Sequence, residues 1–182
     1  TFDAKTTAAA NIAKVTVDGG ADKVVDYKSD LHTTDLDFSK ADGYFKFSGQ
    51  TLGVNNKITS GAGTSTIEFA RPDEVQTIDA VVPNTVKVKF SGAEAELKAK
   101  QLSTDYTFAA TTGTTADLSG SDIGAATFTV ADGSTGNVVK FSKDAKVADF
   151  TGDLSKAKDL VFESQDINFA ISTTNNSEDI SF

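Results

Sequence analysis

Apolar and polar residues alternate with period two along most of the chain. The clearest run is Asn84 to Thr111. There Val86, Val88 and Phe90 alternate with Lys87 and Lys89, and Ala95, Leu97 and Ala99 alternate with Glu94, Glu96, Lys98 and Lys100. Tyr106 and Phe108 then enclose Thr107. Successive side chains of a strand point to opposite faces, so this run predicts three half-buried strands. The same pattern predicts strands over Ala13 to Val17, Lys23 to Tyr27, Tyr44 to Ser48, Ile67 to Phe69, Val75 to Val82, Thr127 to Val130 and Asn137 to Ser142. Val147 to Thr151, Leu160 to Glu163, Ile167 to Ile171 and Ile180 to Phe182 continue it. About a dozen short strands separated by Gly, Asp, Asn and Ser predict an all-β domain. The expected architecture is an antiparallel β-sandwich, immunoglobulin-like or jelly-roll-like, with little or no helix.

Local punctuation refines that expectation. Asp18-Gly19-Gly20 reads as a hairpin turn, and Leu52 to Thr59, with Asn55-Asn56 at its tip, reads as a second hairpin. Arg71-Pro72-Asp73 ends a strand, because proline has no N–H to give a ladder. Thr112 to Ser121 reads as a loop of small polar residues, and Leu36 and Phe38 lie in a loop or a short strand. Ala93 to Leu102 is rich in good helix formers, but as a helix it would align Leu97 only with alanines and Leu102, a poor apolar stripe. Strict alternation favours a strand there, and Ser155 to Asp159 is the other candidate for a short helix. Phe45, Phe47, Phe69, Phe90, Phe108, Phe128, Phe141, Phe150, Phe162 and Phe169 fall in predicted strands and, with Phe38, are core candidates. Asp37-Phe38-Ser39-Lys40-Ala41 is echoed by Asp153-Leu154-Ser155-Lys156-Ala157, which a shared Asp or Ser turn chemistry explains. Residues 1–10 hold one bulky apolar side chain, Phe2, and read as an N-terminal arm ahead of a domain over residues 11–182.

Composition narrows the class. A chain of 182 residues can bury a core without staples. Cysteine is absent, which excludes disulfides and thiolate chemistry. Methionine and tryptophan are also absent, Arg71 is the sole arginine, and the chain begins at Thr1, as a processed or excised protein would. A net charge of -9 with scattered lysines argues against a nucleic-acid partner, which needs clustered cations. No stretch approaches the roughly 20 apolar residues of a membrane-spanning helix, so no membrane insertion is expected. The bias toward Thr, Ser, Asp, Ala and Gly points to an extracellular or cell-surface protein.

Candidate chemistry is sparse. Asp30, Asp35, Asp37 and Asp42 lie close together in sequence, and calcium favours several carboxylate and carbonyl oxygens, so they are the candidate calcium ligands. Their spacing matches no EF-hand, and Asp149, Asp153 and Asp159 form a looser second group. His32, the single histidine, has no nucleophile motif or metal-ligand partner around it. Gly61-Ala62-Gly63-Thr64 lacks the lysine of a phosphate loop. No carboxylate pair stands out for glycoside hydrolysis, so the expectation is a protein that is not an enzyme.

Leu102-Ser103-Thr104-Asp105-Tyr106-Thr107-Phe108 resembles the tyrosine-corner segment of immunoglobulin-like and fibronectin-type sandwiches. That resemblance implies Leu102 in the core and the Tyr106 hydroxyl bonded to backbone upstream. The turn lacks the usual proline or glycine, and the core tryptophan and cysteine pair of antibody domains are missing. In composition the whole chain resembles the outer β-domains of bacterial flagellins and surface-layer proteins. Flagellin's helical, Leu- and Gln-rich termini are absent, so only an excised outer domain would fit. The resemblance implies a structural subunit of an extracellular filament or surface lattice, with copies of itself as partners. Strand addition by residues 1–13 or 177–182 would join them, with Phe2 and Phe182 as interface anchors. The alternatives are an adhesin or carbohydrate-binding module, presenting Thr112 to Ser121 and Asp132 to Gly136 to glycans, and a phage tail or decoration protein.

Overall fold

A computed structural model describes residues 12–17, 24–39, 42–61, 63–98, 101–120, 126–131, 134, 137–141, 149–151, 157–162, 170–172 and 180–181, with backbone alone for Val25 and from Phe141 onward. These residues form eighteen strands and no helix. Every pairing among them is parallel. The expected antiparallel sandwich is therefore wrong: the chain winds as a β-solenoid, each turn laying its strands on those of the turn before.

One sheet has eight strands: β2 (Val25–Tyr27), β4 (Tyr44–Phe47), β7 (Ser65–Phe69), β9 (Val86–Phe90), β11 (Asp105–Phe108), β13 (Thr127–Val130), β15 (Asp149–Thr151) and β17 (Ala170–Ser172). A second has seven: β5 (Thr51–Leu52), β8 (Val75–Ile78), β10 (Glu94–Leu97), β12 (Thr115–Leu118), β14 (Asn137–Phe141), β16 (Ala157–Phe162) and β18 (Ile180–Ser181). A third, of β1 (Lys14–Thr16), β3 (Asp35–Phe38) and β6 (Ile58–Ser60), closes the N-terminal part. In the eight-strand sheet Val25 pairs with Phe45, Phe45 with Ile67, Ile67 with Val88, Val88 with Tyr106 and Tyr106 with Phe128, so one turn takes 18 to 22 residues. At the usual strand spacing of about 4.8 Å, eight strands make a stack roughly 35 Å long.

Parallel stacking places like over like. Phe47, Phe69, Phe90 and Phe108 form one inward column, and Phe45, Ile67, Val88, Tyr106 and Phe128 form the next. Ring centroids are 6.1 Å apart for Phe69 and Phe90, 5.3 Å for Phe90 and Phe108, and 5.0 Å for Tyr106 and Phe128. Each such contact is worth about 0.5–1.5 kcal/mol beyond area burial. Leu52, Ile78, Leu97 and Leu118 line the core from the seven-strand sheet, and Leu36, Phe38 and Ile58 from the third. The seven core-candidate phenylalanines from Phe38 to Phe128 are buried, while the side chains of Phe141, Phe150, Phe162 and Phe169 lie outside the described residues.

Both expected hairpins are overturned. β1 pairs with β3 and β2 with β4, so no hairpin joins β1 to β2 across Asp18-Gly19-Gly20, a turn outside the described residues. β5 and β6, flanking Asn55-Asn56, belong to different sheets. Within Asn84 to Thr111 the three strands form as expected, but β9 pairs with β7 and β11, whereas β10 pairs with β8 and β12. The turn between such strands is a corner from one sheet to another.

Four further expectations fail. Thr112 to Ser121 contains β12, whose small side chains hide its alternation. Ala157 to Asp159 is strand rather than helix, Ser155 and Lys156 lying outside the described residues. Leu102 is 51% exposed rather than in a core. Tyr106 is buried between Phe90 and Phe128, and its hydroxyl has no hydrogen-bond partner, so there is no tyrosine corner.

The corners explain several glycines. A Cβ on Gly49 would lie 2.3 Å from the Ser29 carbonyl oxygen, and one on Gly92 would lie 2.4 Å from that of Arg71. At both places the backbone turns directly against the preceding turn of the coil, where no side chain fits.

Candidate functional site

Among the described residues four amide side chains are buried at or beside the corners: Asn56, Gln76, Gln101 and Asn137. Each accepts a backbone N–H that the turning chain takes out of ladder pairing. Gln76 accepts the Arg71 N–H at 3.0 Å and donates to the Phe47 and Gly49 carbonyls at 3.0 and 2.8 Å. Asn56 accepts the Thr34 N–H at 2.7 Å and donates to the Leu31 and Gly53 carbonyls at 2.6 and 3.0 Å. Gln101 accepts the Val82 N–H at 2.9 Å and donates to the Ala80 carbonyl at 3.2 Å. Asn137 accepts the Thr114 N–H at 3.0 Å. An amide carries both a donor and an acceptor, so one side chain can satisfy an N–H and a C=O that would otherwise be costly to bury. Sequence reasoning missed all four. Alternation gave no signal for them: Gln76, Gln101 and Asn137 fall inside stretches read as strand, and Asn56 at the tip of an expected hairpin.

The outward face of the eight-strand sheet carries a polar cluster. Asp26, Lys46, Glu68, Lys89, Thr107 and Thr129 occupy one column, strand by strand. Glu68 accepts from the Tyr44 and Ser91 hydroxyls and lies 3.4 Å from the Lys89 ammonium, which also donates to the Tyr44 hydroxyl at 3.1 Å. Burial pushes the Glu68 carboxyl up, but the Ser91 and Tyr44 hydroxyls and the Lys89 and Lys46 charges outweigh it and hold the group below its usual range. Burial, reinforced by Glu68, pushes the Tyr44 phenol well above its usual range. The Ser91 proton is already committed to this carboxylate, so the pair offers no free base for proton transfer. The cluster behaves as a lock across three strands.

The calcium candidates are separated in space. Asp37 sits on β3 with Lys14 at 2.5 Å and accepts the Ser39 N–H at 2.9 Å. Hydrogen bonds from Lys14 and Ser39 hold its carboxyl far below the usual range. Asp35 opens the same strand. Asp30 accepts the Gln50 and Thr51 N–H groups at 2.7 and 3.0 Å, and Asp42, with φ of 55°, accepts the Thr64 N–H at 3.1 Å. Three of the four therefore hold backbone or a lysine. Among the described residues no group of three or more His, Cys, Asp or Glu could hold a metal ion. The Asp-to-Ser turn expected at Asp37-Phe38-Ser39 is present, and it recurs at Asp117, which accepts the Ser119 N–H at 3.0 Å. Asp153-Leu154-Ser155, Phe2 and Phe182 lie outside the described residues, as does the arm over residues 1–10. His32 is exposed at a corner beside Gly53.

A shallow groove lies elsewhere on the surface. Val54, Val81 and Leu102, exposed by 71%, 41% and 51%, border a hollow of about 360 Å³ with Ile58 and Pro83.

Together the coil and its amide-bonded corners define the class: a parallel β-solenoid with an aromatic core. No family model matches the chain, and no curated protein and no solved structure matches it either.

Proposed function

We propose that the protein is a non-enzymatic structural subunit that associates with copies of itself in an extracellular filament or surface lattice. One observation carries this: the polar side chains best placed for chemistry are spent on holding one turn of the coil to the next. Gln76, Asn56, Gln101 and Asn137 satisfy corner backbone, and Glu68 is saturated by its neighbours. Such a coil is a stiff, repetitive element, stable by contacts between adjacent turns alone. Two features suit it to association. The groove bordered by Val54, Val81 and Leu102 offers apolar surface that a second copy would remove from water. β17 and β18 each have a strand partner on one side only among the described strands, so strand addition at the sheet ends is the second contact.

Negative-stain electron microscopy of the purified protein tests the proposal. Filaments or ordered arrays are expected, disrupted by Val81→Asp with Leu102→Asp. Monodisperse monomers at all concentrations, with and without calcium, would overturn it.

A further inference from the structure

The corner after β7 differs from the corner after β4. Residues 48–50 link β4 to β5, whereas 70–74 link β7 to β8, and the longer link contains Arg71-Pro72-Asp73. This link borders an open pocket of about 450 Å³ lined by Lys28, Lys46, Ser48, Ala70, Arg71 and Asp73, with Pro72 at its wall. That volume lies within the usual range for small-molecule sites.

Three cationic side chains meet here in a chain of net charge -9. Lys28 and Lys46 make no hydrogen bond or salt bridge with a described residue, although Lys46 stands in column between Asp26 and Glu68. Neither carboxylate is idle: Asp26 accepts from the Ser48 hydroxyl at 3.0 Å, and Glu68 is held by Tyr44, Ser91 and Lys89. Arg71 is fixed at its two ends, Nη1 donating to the Ser48 carbonyl at 3.4 Å and Nη2 pairing with Glu74. The guanidinium is thus pre-positioned, and Lys28 and Lys46 line the same pocket. Asp73 on the lining and Glu74 beside it repel extended polyanions. The site therefore suits one anionic group on a compact ligand.

We propose that this pocket binds a small ligand bearing a single carboxylate or sulfate group, with Lys28 and Lys46 supplying the charge and Arg71 a fixed cation beside them. Ala70 and Pro72 give the ligand's carbon frame an apolar wall. This is a ligand-binding activity separate from assembly, and it does not depend on self-association.

Isothermal titration and amide-shift NMR with galacturonate, inorganic sulfate and neutral galactose test it. Saturable binding of galacturonate or sulfate, with galactose at least tenfold weaker, is expected. The Lys28→Ala, Lys46→Ala double variant should lose at least tenfold in affinity while keeping the wild-type circular dichroism spectrum, and Lys28→Arg with Lys46→Arg should retain binding. Sulfate without galacturonate would support the pocket and assign it to free inorganic anions. Galacturonate with or without sulfate would assign it to acidic sugars. No saturable anion binding, equal binding of galactose, or binding unaffected in the alanine double variant would overturn it.

Discussion

Replacing Gln76 by leucine tests the claim that buried amides hold the coil together. Leucine keeps most of the volume and removes all three hydrogen bonds of the side chain. The Phe47 carbonyl retains the Ala70 N–H at 2.9 Å, so it is not orphaned. The Arg71 N–H, however, loses its acceptor in a corner that the leucine makes more apolar. An unsatisfied buried donor costs about 1–3 kcal/mol, and the lost bond to the Gly49 carbonyl adds about 1 kcal/mol. The expected destabilisation is therefore about 2–4 kcal/mol, reduced by whatever the leucine gains from burial. Urea unfolding followed by circular dichroism measures it as a lower midpoint. Thr77→Val is the control, since Thr77 is the outward neighbour on the same strand and should change stability by no more than about 0.5 kcal/mol. If Gln76→Leu unfolds at the wild-type midpoint, the amides are incidental and the reasoning fails.

Three further outcomes are expected. Tyr106→Phe should be neutral or stabilise by about 1 kcal/mol in thermal melts, because burial raises the phenol pKa and its hydroxyl has no partner; a loss of similar size would restore a tyrosine corner. Gly92→Ala should cost about 1–3 kcal/mol or more, since its Cβ would meet Arg71 backbone oxygen and nitrogen at 2.4 and 2.7 Å, and an unchanged melting temperature would refute that packing. The carboxyls of Asp37, Glu68 and Asp117 are all held below their usual values, so the stability they add is present above the unfolded carboxylate range near pH 4 and is lost as pH falls through the folded values. Calorimetry should show the melting temperature falling below about pH 4, with a shallower fall in Asp37→Asn, and identical slopes would count against the Lys14 and Ser39 contacts as the cause.

The sequence by itself determined most of the strands and which of their side chains face inward, β12 and Leu102 being exceptions. Val86, Val88 and Phe90 are buried while Lys87 and Lys89 face out, as alternation requires, because that pattern is a local property of a pleated chain. It also gave the turn at Asp37-Phe38-Ser39, where a side chain bonds backbone two residues on. Only the tertiary structure decided which strands meet. Period two is the same in parallel and antiparallel sheets, so the alternation of Ala95 and Leu97 could not say whether β10 would fold back on β9 or lie on β8. The repeat that would have answered was present, in Phe47-Ser48-Gly49 and Phe90-Ser91-Gly92, but turns of 18 to 22 residues blur it. The pocket around Lys28, Lys46 and Arg71 was equally hidden. Its side chains come from three successive turns of the coil, and only stacking those turns brings them together.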